Sequence, residues 1–258
     1  MNGGIWTRET VAMLLLACFL PMAASWVWYG GHLSLAFLVL MIVYGWQLLF
    51  LLARAQAPSL SGAITALAVA MLAPEHIGPL RMALGVSFGV VIGELVFGGW
   101  GRNVVNPATV SLAFLGFGFP SFEWPAFDVP VAWAAIPAVA LGCGLGVMSV
   151  GLALGASIVA IAASLLGAID GSVVIAAAIV FALLVSDPAT AATTRFGAWA
   201  QGGLFVALLT LFHQAWTGAA PVQMAVAASL LTSLAVPLLD EATLAAWVAL
   251  RRRRHGRT

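Results

Sequence analysis

A polar segment between two long apolar runs carries the side chains best suited to chemistry. Residues 98–120 read GGWGRNVVNPATVSLAFLGFGFP and place Arg102, Asn103 and Asn106 just before Pro107. Glycines let a backbone approach a ligand closely, and a guanidinium and two amides can donate hydrogen bonds to it. With the free N–H groups at the start of a helix, such donors suit a phosphate or an electron-rich carbonyl edge. A structural interpretation is also open, in which Asn106 simply caps the helix that Pro107 begins.

A second polar turn, residues 187–194, reads DPATAATT. Asp187 precedes Pro188 and is suited to cap a helix, while Thr190 and Thr193 add hydroxyl groups to the same turn. Two interpretations are open for this turn as well: a structural helix break, or part of a binding site.

One carboxylate lies inside an apolar run. Glu94 is found in VIGELVF, and Arg102 is the nearest cation in the sequence. A carboxylate in hydrocarbon is costly unless it is paired or protonated, so Glu94 either pairs with Arg102 or relays a proton or a cation. The histidines and the two cysteines show no metal-ligand spacing, and we expect no metal site.

The elements that position these residues are membrane helices. Of the 258 residues, 63% are apolar and 7% are charged, and the chain contains no lysine. A soluble domain carries about 25% charged residues, so most of this surface is suited to lipid. Since a bilayer core needs roughly 20 apolar residues per helix, and fewer where a helix is broken, we predict ten spans in an all-α polytopic membrane protein. They lie near 10–29, 33–53, 61–73, 80–97, 104–119, 131–148, 151–167, 171–186, 198–215 and 221–238.

The polar joints between the spans predict an orientation. With ten spans, Arg8, Arg54, Arg102, Arg195 and the arginines at 251–254 fall on one side. The acidic joints fall on the other side, together with the one exception, Arg81. The positive-inside rule then places both termini in the cytoplasm. The tail from 240 to 258 begins with two acidic residues and ends in arginines, which predicts an interfacial helix on anionic headgroups.

Ten spans with both ends on one side fit two five-helix repeats of opposite orientation, which we place at about 8–120 and 130–240. Residues 63–74, AITALAVAMLAP, are similar to residues 177–188, AAIVFALLVSDP, and each run stops at a proline. Because inverted repeats place broken helices around a central site, we expect the site at the cytoplasmic end of the bundle.

These motifs together resemble one known family. It is a membrane protein shared by two redox complexes, as the D subunit of the Rnf complex and the B subunit of the sodium-pumping NADH:quinone oxidoreductase. Residues 93–107, GELVFGGWGRNVVNP, are similar to the glycine-rich loop and Asn-x-x-Asn-Pro turn of that family. DPATAATT followed by Phe196-Gly197 resembles its second turn, and residues 236–240, VPLLD, its closing segment. Residues 65–74 also resemble its third helix, and the similarity runs in the same order over nearly the whole chain.

The resemblance implies a ten-helix inverted-repeat fold in the bacterial cytoplasmic (inner) membrane, with flavins as electron carriers. The family attaches one flavin to a threonine in an S-G-A-T motif, which is absent here; the nearest string, SGAIT at residues 61–65, is interrupted. We therefore expect no covalent FMN on this chain. A noncovalent flavin, either riboflavin or FMN, is implied at residues that match the two family turns. These are Gly101, Arg102, Asn103, Asn106 and Pro107 on one side, and Asp187, Thr190 and Thr193 on the other.

The function that the resemblance implies is a membrane electron conduit, acting as a subunit of a redox complex rather than as a separate enzyme. Electrons would come from a cytoplasmic donor, pass through the bound flavin and leave to an extracytoplasmic flavoprotein, with other membrane subunits as neighbours and no nucleic acid. Two alternatives are a permease for a small solute or an ion, and a flavin-free scaffold that holds other redox subunits.

Overall fold

A computed structural model describes residues 7–255, and over this range the chain is helical, without a β-strand. The ten helices are α1 (Arg8–Trp28), α2 (Leu33–Arg54), α3 (Ser61–Leu72), α4 (Pro79–Val90), α5 (Pro107–Gly118), α6 (Val129–Gly144), α7 (Val150–Leu165), α8 (Gly171–Val180), α9 (Arg195–Ala215) and α10 (Pro221–His255). Two helices, α4 and α8, continue as π-helical turns at Val91–Leu95 and Phe181–Val185. All ten predicted segments are therefore helices.

The helices have the composition of a membrane protein. Four of them, α1, α2, α9 and α10, are long and apolar enough to cross a bilayer. Five further apolar segments are shorter. Large apolar side chains face outward, including Leu52, Leu165 and Phe196, a surface that suits lipid and not water. The chain is thus a polytopic membrane protein.

Short, deeply buried helices lie at the centre of the bundle. Ten of the twelve residues of α3 are buried, as are all five of the π-helical turn that follows α8. A helix of twelve residues is about 18 Å long, against a hydrocarbon core of about 30 Å, so α3 is shorter than a full span. Its burial shows that neighbouring helices surround it.

Several helix contacts of the first half recur in the second half, although the contact between α2 and α3 has no comparable α7–α8 counterpart. Within α1–α5, the pairs α1–α3, α2–α4, α3–α5 and α4–α5 pack together. The counterparts α6–α8, α7–α9, α8–α10 and α9–α10 also pack together, and α1 contacts α6 as α5 contacts α10. Both the division into two five-helix units and their opposite orientation are still predictions.

The last helix extends further than the predicted tenth span. It runs from Pro221 to His255 and continues through Pro237, so the expected interfacial tail is the second part of the same helix as far as His255. Residues 241–250, EATLAAWVAL, are mostly good helix formers, which explains why the helix does not stop at the membrane edge. Residues 256–258 of that tail lie outside the described range.

Two ends of the bundle can be distinguished by their cavities. Arg8, Arg54 and Arg102 line one cleft, and we call this side the arginine end. The opposite end has a cavity of about 480 Å³, formed where α1 passes into α2 and by the segments that precede α4 and α6. Three arginines that the sequence assigned to one side of the membrane therefore do share one end.

Candidate functional site

The segment between α4 and α5, residues 96–106, forms the glycine turn. Gly98, Gly99 and Gly101 have φ of 98°, 93° and 85°, a left-handed conformation that only glycine adopts at little cost. A β-carbon at Gly99 would lie 2.8 Å from Nε2 of Gln56 in the α2–α3 linker. The glycines thus allow the turn to fold back against that linker, after the π-helical end of α4.

Both asparagines of the glycine turn form hydrogen bonds within the protein. Asn103 accepts from Gly101 N at 3.0 Å and donates to Val105 O at 3.3 Å, so it binds its own turn. Asn106 caps α5 by accepting from Ala108 N at 2.9 Å and Thr109 N at 3.4 Å. Its Nδ2 donates to Asp187 Oδ2 at 3.0 Å. The capping interpretation is therefore correct for Asn106, which in addition joins the two polar turns.

Asp187 is a buried carboxylate between the two turns. It accepts hydrogen bonds from Trp100 Nε1 at 3.3 Å, from Asn106 Nδ2 at 3.0 Å and from Ala189 N at 3.1 Å. Burial raises the pKa of Asp187, and these three hydrogen bonds act in the opposite direction. Among the side chains that the structure describes, those of residues 7–249 and 251, no arginine or histidine nitrogen lies within 4.0 Å of Asp187, and the carboxylate contact of this kind joins Asp170 to His213 at 3.3 Å.

Glu94 lies in the π-helical turn after α4, and its side chain is 2% exposed. Ser61 Oγ, at the start of α3, donates to Glu94 Oε1 at 3.3 Å. Arg102 is exposed and forms no ion pair with Glu94, although the structure describes both side chains. The ion-pair interpretation is therefore not supported, and the relay interpretation stays a prediction.

Thr190 and Thr193, the two threonines predicted for the Asp187 side of the flavin site, point in different directions. Thr190 is buried and donates from its backbone N, at 3.2 Å, and from its Oγ1, at 3.5 Å, to the carbonyl oxygen of Asp187. Thr193 instead faces α10, where its N and Oγ1 both donate to Asp240 Oδ2 at 2.9 Å. Thr193 therefore makes no contact with the buried carboxylate, even though it follows Thr190 closely in the chain.

Two cavities of very different size lie beside these groups. A crevice of about 10 Å³ is lined by Asn106, Pro107 and Asp187 together with Ser61, Thr65 and Trp100. This space holds about one water molecule. A cleft of about 560 Å³ lies on the other side of Trp100 and is open at the arginine end. Its polar lining comprises Arg8, Glu9, Gln47, Arg54, Gln56, Ser59, Glu94 and Arg102.

The predicted site residues do not all line one cavity. Arg102 lines the cleft, Asn106, Pro107 and Asp187 line the crevice, and Gly101, Asn103, Thr190 and Thr193 line neither. Sequence reasoning missed Trp100, which lines both spaces. Its position in the middle of the glycine turn was the available signal.

A second group was also missed at the α2–α3 linker. Gln47 is buried in α2 and its Oε1 accepts from Ser59 N at 3.1 Å. With its amide oriented to satisfy both partners, Gln56 accepts from Gly99 N at 3.0 Å and donates to Leu95 O at 3.3 Å. A glutamine inside the otherwise apolar α2 was the sequence signal for this group.

The fit of a flavin can be judged from these spaces. Pockets for ligands of this size measure about 300–1,000 Å³, a range that includes the cleft and excludes the crevice. Three arginines offer donors to carbonyl or phosphate oxygens, and the glycine backbone leaves room at the wall. The volume and the arginines of the cleft are compatible with a flavin, whereas the crevice that Asn106 lines is too small for one.

Comparison with known proteins places the chain in context. Residues 2–140 match the NQR2, RnfD, RnfE family. The chain is 34% identical over 139 residues to the B subunit of the Na(+)-translocating NADH-quinone reductase of Stutzerimonas stutzeri, a match that covers 52% of this chain and 30% of the relative. The corresponding protein of Azotobacter vinelandii is 34% identical over 141 residues, which are 53% of this chain and 32% of the relative. That of Pseudomonas paraeruginosa is 41% identical over 86 residues, with 33% and 21% covered. The matched part thus spans about a third or less of these relatives.

Proposed function

Because the chain belongs to the NQR2, RnfD, RnfE family, we propose that it carries electrons through a noncovalently bound flavin as a membrane subunit of an ion-coupled redox complex. The observation that carries this proposal is the cleft of about 560 Å³ beside the glycine turn. The relatives are named as the B subunit of a Na(+)-translocating NADH-quinone reductase, and the chain covers only 30% and 32% of two of them. Electron transfer and ion coupling by this chain are accordingly proposals.

The side chains around the cleft have separable roles in this proposal. Arg54 and Arg102 bind the electron-rich edge of the flavin ring or, in FMN, the phosphate. Arg8 holds the backbone of Trp100 by donating to Trp100 O at 3.3 Å. Asp187 accepts from the Trp100 indole and so holds the ring in place. A bound flavin supplies the redox chemistry, while the protein supplies orientation and electrostatics.

Most of the other predicted site residues stabilise the backbone beside the cleft. Gly101 and Asn103 close the glycine turn on itself, and Asn106 and Pro107 start α5 beneath it. Thr190 braces the backbone of Asp187. Glu94, which lines the cleft, is proposed as the group that holds a proton or a cation.

The attachment of FMN to this chain is not proposed. Thr65, the threonine of the interrupted SGAIT string, is 4% exposed inside α3, so it is inaccessible to an attached cofactor. The covalent flavin of the complex would then belong to an extracytoplasmic partner flavoprotein. A cytoplasmic donor would reach the cleft from the arginine end, with both termini on that side of the inner membrane and the repeats 8–120 and 130–240 inverted.

Removing two arginines tests the position of the flavin. In the Arg54→Gln, Arg102→Gln double variant, we expect at least fivefold less flavin per purified protein, because two charge-assisted donors are lost. Flavin is measured by absorbance after extraction. The matched control is Arg81→Gln, which removes an arginine that packs over Phe119 and Phe122, away from the cleft. Equal flavin in the double variant and the control would contradict the assignment of the cleft.

A permease is the second function that a specific observation favours. Cavities of about 480 Å³ and 560 Å³ open at opposite ends of the bundle, with the Asp187 crevice between them. Such a protein would be colourless and would move its solute into liposomes without any redox partner. A flavin-free scaffold would be colourless too, but would show no flux and would copurify with redox subunits.

A further inference from the structure

One carboxylate fastens the turn between α8 and α9 to α10. Asp240 Oδ2 accepts from Thr193 N and Thr193 Oγ1, both at 2.9 Å. Asp240 Oδ1 accepts from Thr194 N at 3.0 Å and from Thr194 Oγ1 at 2.6 Å. Four donors from two consecutive residues thus meet both oxygens of a side chain 46 and 47 positions away in the chain.

Neighbouring residues leave room for this carboxylate and add hydrogen bonds beside it. A β-carbon at Gly197 would lie 2.6 Å from Asp240 Oδ1, so a larger residue there would displace the carboxylate. Thr243, one turn further along α10, has its Oγ1 2.9 Å from that of Thr194. Thr194 also caps α9 by accepting from Gly197 N at 3.1 Å, and this cap does not require Asp240. The carboxylate therefore does more than complete a helix cap.

The same turn carries Asp187 at its other end. There, Asp187 contacts Trp100 and Asn106 of the glycine turn. Between the two ends, Thr190 binds the carbonyl of Asp187, and Ala192 N donates to Gln201 Oε1 at 2.8 Å. The turn is consequently held at the glycine turn, at α9 and at α10. In the described part of the chain, two backbone N–H groups of this turn donate to a side chain of α10. They belong to Thr193 and Thr194, and both donate to Asp240.

We propose that Asp240 is a positioning residue, which sets the place of Asp187 behind Trp100 by fixing the turn at Thr193 and Thr194. Asp240 lines neither the crevice nor the cleft, so it acts through the turn and not on a ligand. Its effect on flavin binding rests on the proposed function, whereas its effect on Asp187 and Trp100 does not.

The attachment is tested by hydrogen exchange on the full-length chain in detergent, resolved to single amides by mass spectrometry. In Asp240→Ala we expect the amides of Thr193 and Thr194 to exchange at least tenfold faster, because both donate directly to the lost carboxylate. The Ala192 amide, bound to Gln201, should change much less. The matched control is Glu241→Ala, which removes the neighbouring exposed acidic side chain. Unchanged exchange at Thr193 and Thr194 in Asp240→Ala would overturn the attachment.

Positioning is tested by the indole N–H resonance of Trp100 in protein labelled with ¹⁵N-tryptophan, assigned by its loss in Trp100→Phe. That N–H donates to Asp187, so Asp240→Ala should shift or broaden this resonance and Glu241→Ala should not. Asp240→Asn keeps one acceptor oxygen and should give a smaller change. An unmoved resonance in Asp240→Ala would overturn the positioning role, even if the amides exchange faster.

The flavin content of the same preparations separates this inference from the proposed function. If the wild-type chain holds flavin, Asp240→Ala should retain at least threefold less of it than Glu241→Ala, and equal retention would count against positioning. If the wild-type chain holds none, the proposed function fails, while the exchange and resonance results still decide the role of Asp240.

Discussion

At the scale of single residues, Asn106 joins two elements of the site. Its Oδ1 caps α5 and its Nδ2 binds Asp187, so one amide joins a helix start to a buried carboxylate. Asn103, by contrast, binds only its own turn. The two asparagines of the family-like motif therefore have different structural roles, and neither lines the cleft.

This difference predicts unequal losses of stability. Asn106→Leu removes a cap, at about 0.5–2 kcal/mol, and takes one donor from a buried carboxylate, at about 1–3 kcal/mol. Asn103→Leu should cost less because its hydrogen bonds lie within one turn. The measurement is the thermal unfolding midpoint of each variant in detergent. A midpoint for Asn106→Leu that equals or exceeds that for Asn103→Leu would contradict the account of Asn106.

Sequence spacing located the two turns but could not give the directions of their side chains. Asp187 and Thr190 were correctly expected in one turn, and the structure buries both. Thr193 points the other way because its partner, Asp240, belongs to α10. No local pattern reveals a contact between residues that are 47 positions apart in the chain. For the same reason, the place of Trp100 in the lining of both cavities was not predicted.

At the scale of elements, broken helices create the site. Both polar turns follow a π-helical turn, Val91–Leu95 or Phe181–Val185, and π-helical turns are frequent at functional sites. The first of these carries Glu94, whose carboxylate is thereby brought to the start of α3. The hydrophobic runs predicted the first nine helices to within four residues at each end, with the π-helical turns counted as part of α4 and α8. The π-helical turns themselves have no signature in hydropathy and were not predicted.

Close contact between α7 and α9 gives a prediction at this scale. A β-carbon at Gly202 would lie 2.7 Å from the backbone nitrogen of Ala156, and backbone atoms cannot move aside as side chains can. We therefore expect Gly202→Ala to separate the two helices and to lower the yield of folded protein severalfold, as measured by gel filtration in detergent. Gly45→Ala in α2 is the control, because nothing lies within 4 Å of its β-carbon position. Equal monodisperse yields for both variants would show that the α7–α9 contact is looser than described.

At the scale of the whole molecule, charge and cavities are divided between the two ends. The cleft with Arg8, Arg54 and Arg102 lies at one end, and the cavity with Glu75, His76 and Asp128 at the other. Arginine asymmetry was readable from the sequence because it depends only on the number of spans. The cavities were not, because their volumes depend on how distant helices pack.

The division of charge predicts an orientation that labelling can check. A cysteine at Ala57, in the cleft lining, should react from the cytoplasmic side of the inner membrane, and one at Ala126, at the opposite end, from the other side. The measurement compares a membrane-impermeant thiol reagent on intact cells and on inverted vesicles. Cys18 is buried and Cys143 is half-buried, so the unsubstituted chain provides the background. Labelling of both positions from the same side would contradict ten spans with both termini in the cytoplasm.

The central claim, that this chain holds a noncovalent flavin in a membrane redox complex, is tested most directly by one spectrum. The chain is purified in mild detergent, and its absorbance is recorded before and after precipitation with acid. We predict flavin bands in the intact protein that pass entirely into the supernatant, because the cleft binds the cofactor without a covalent bond. Flavin that stays in the precipitate, or a preparation that is colourless when taken directly from native membranes, would contradict the claim.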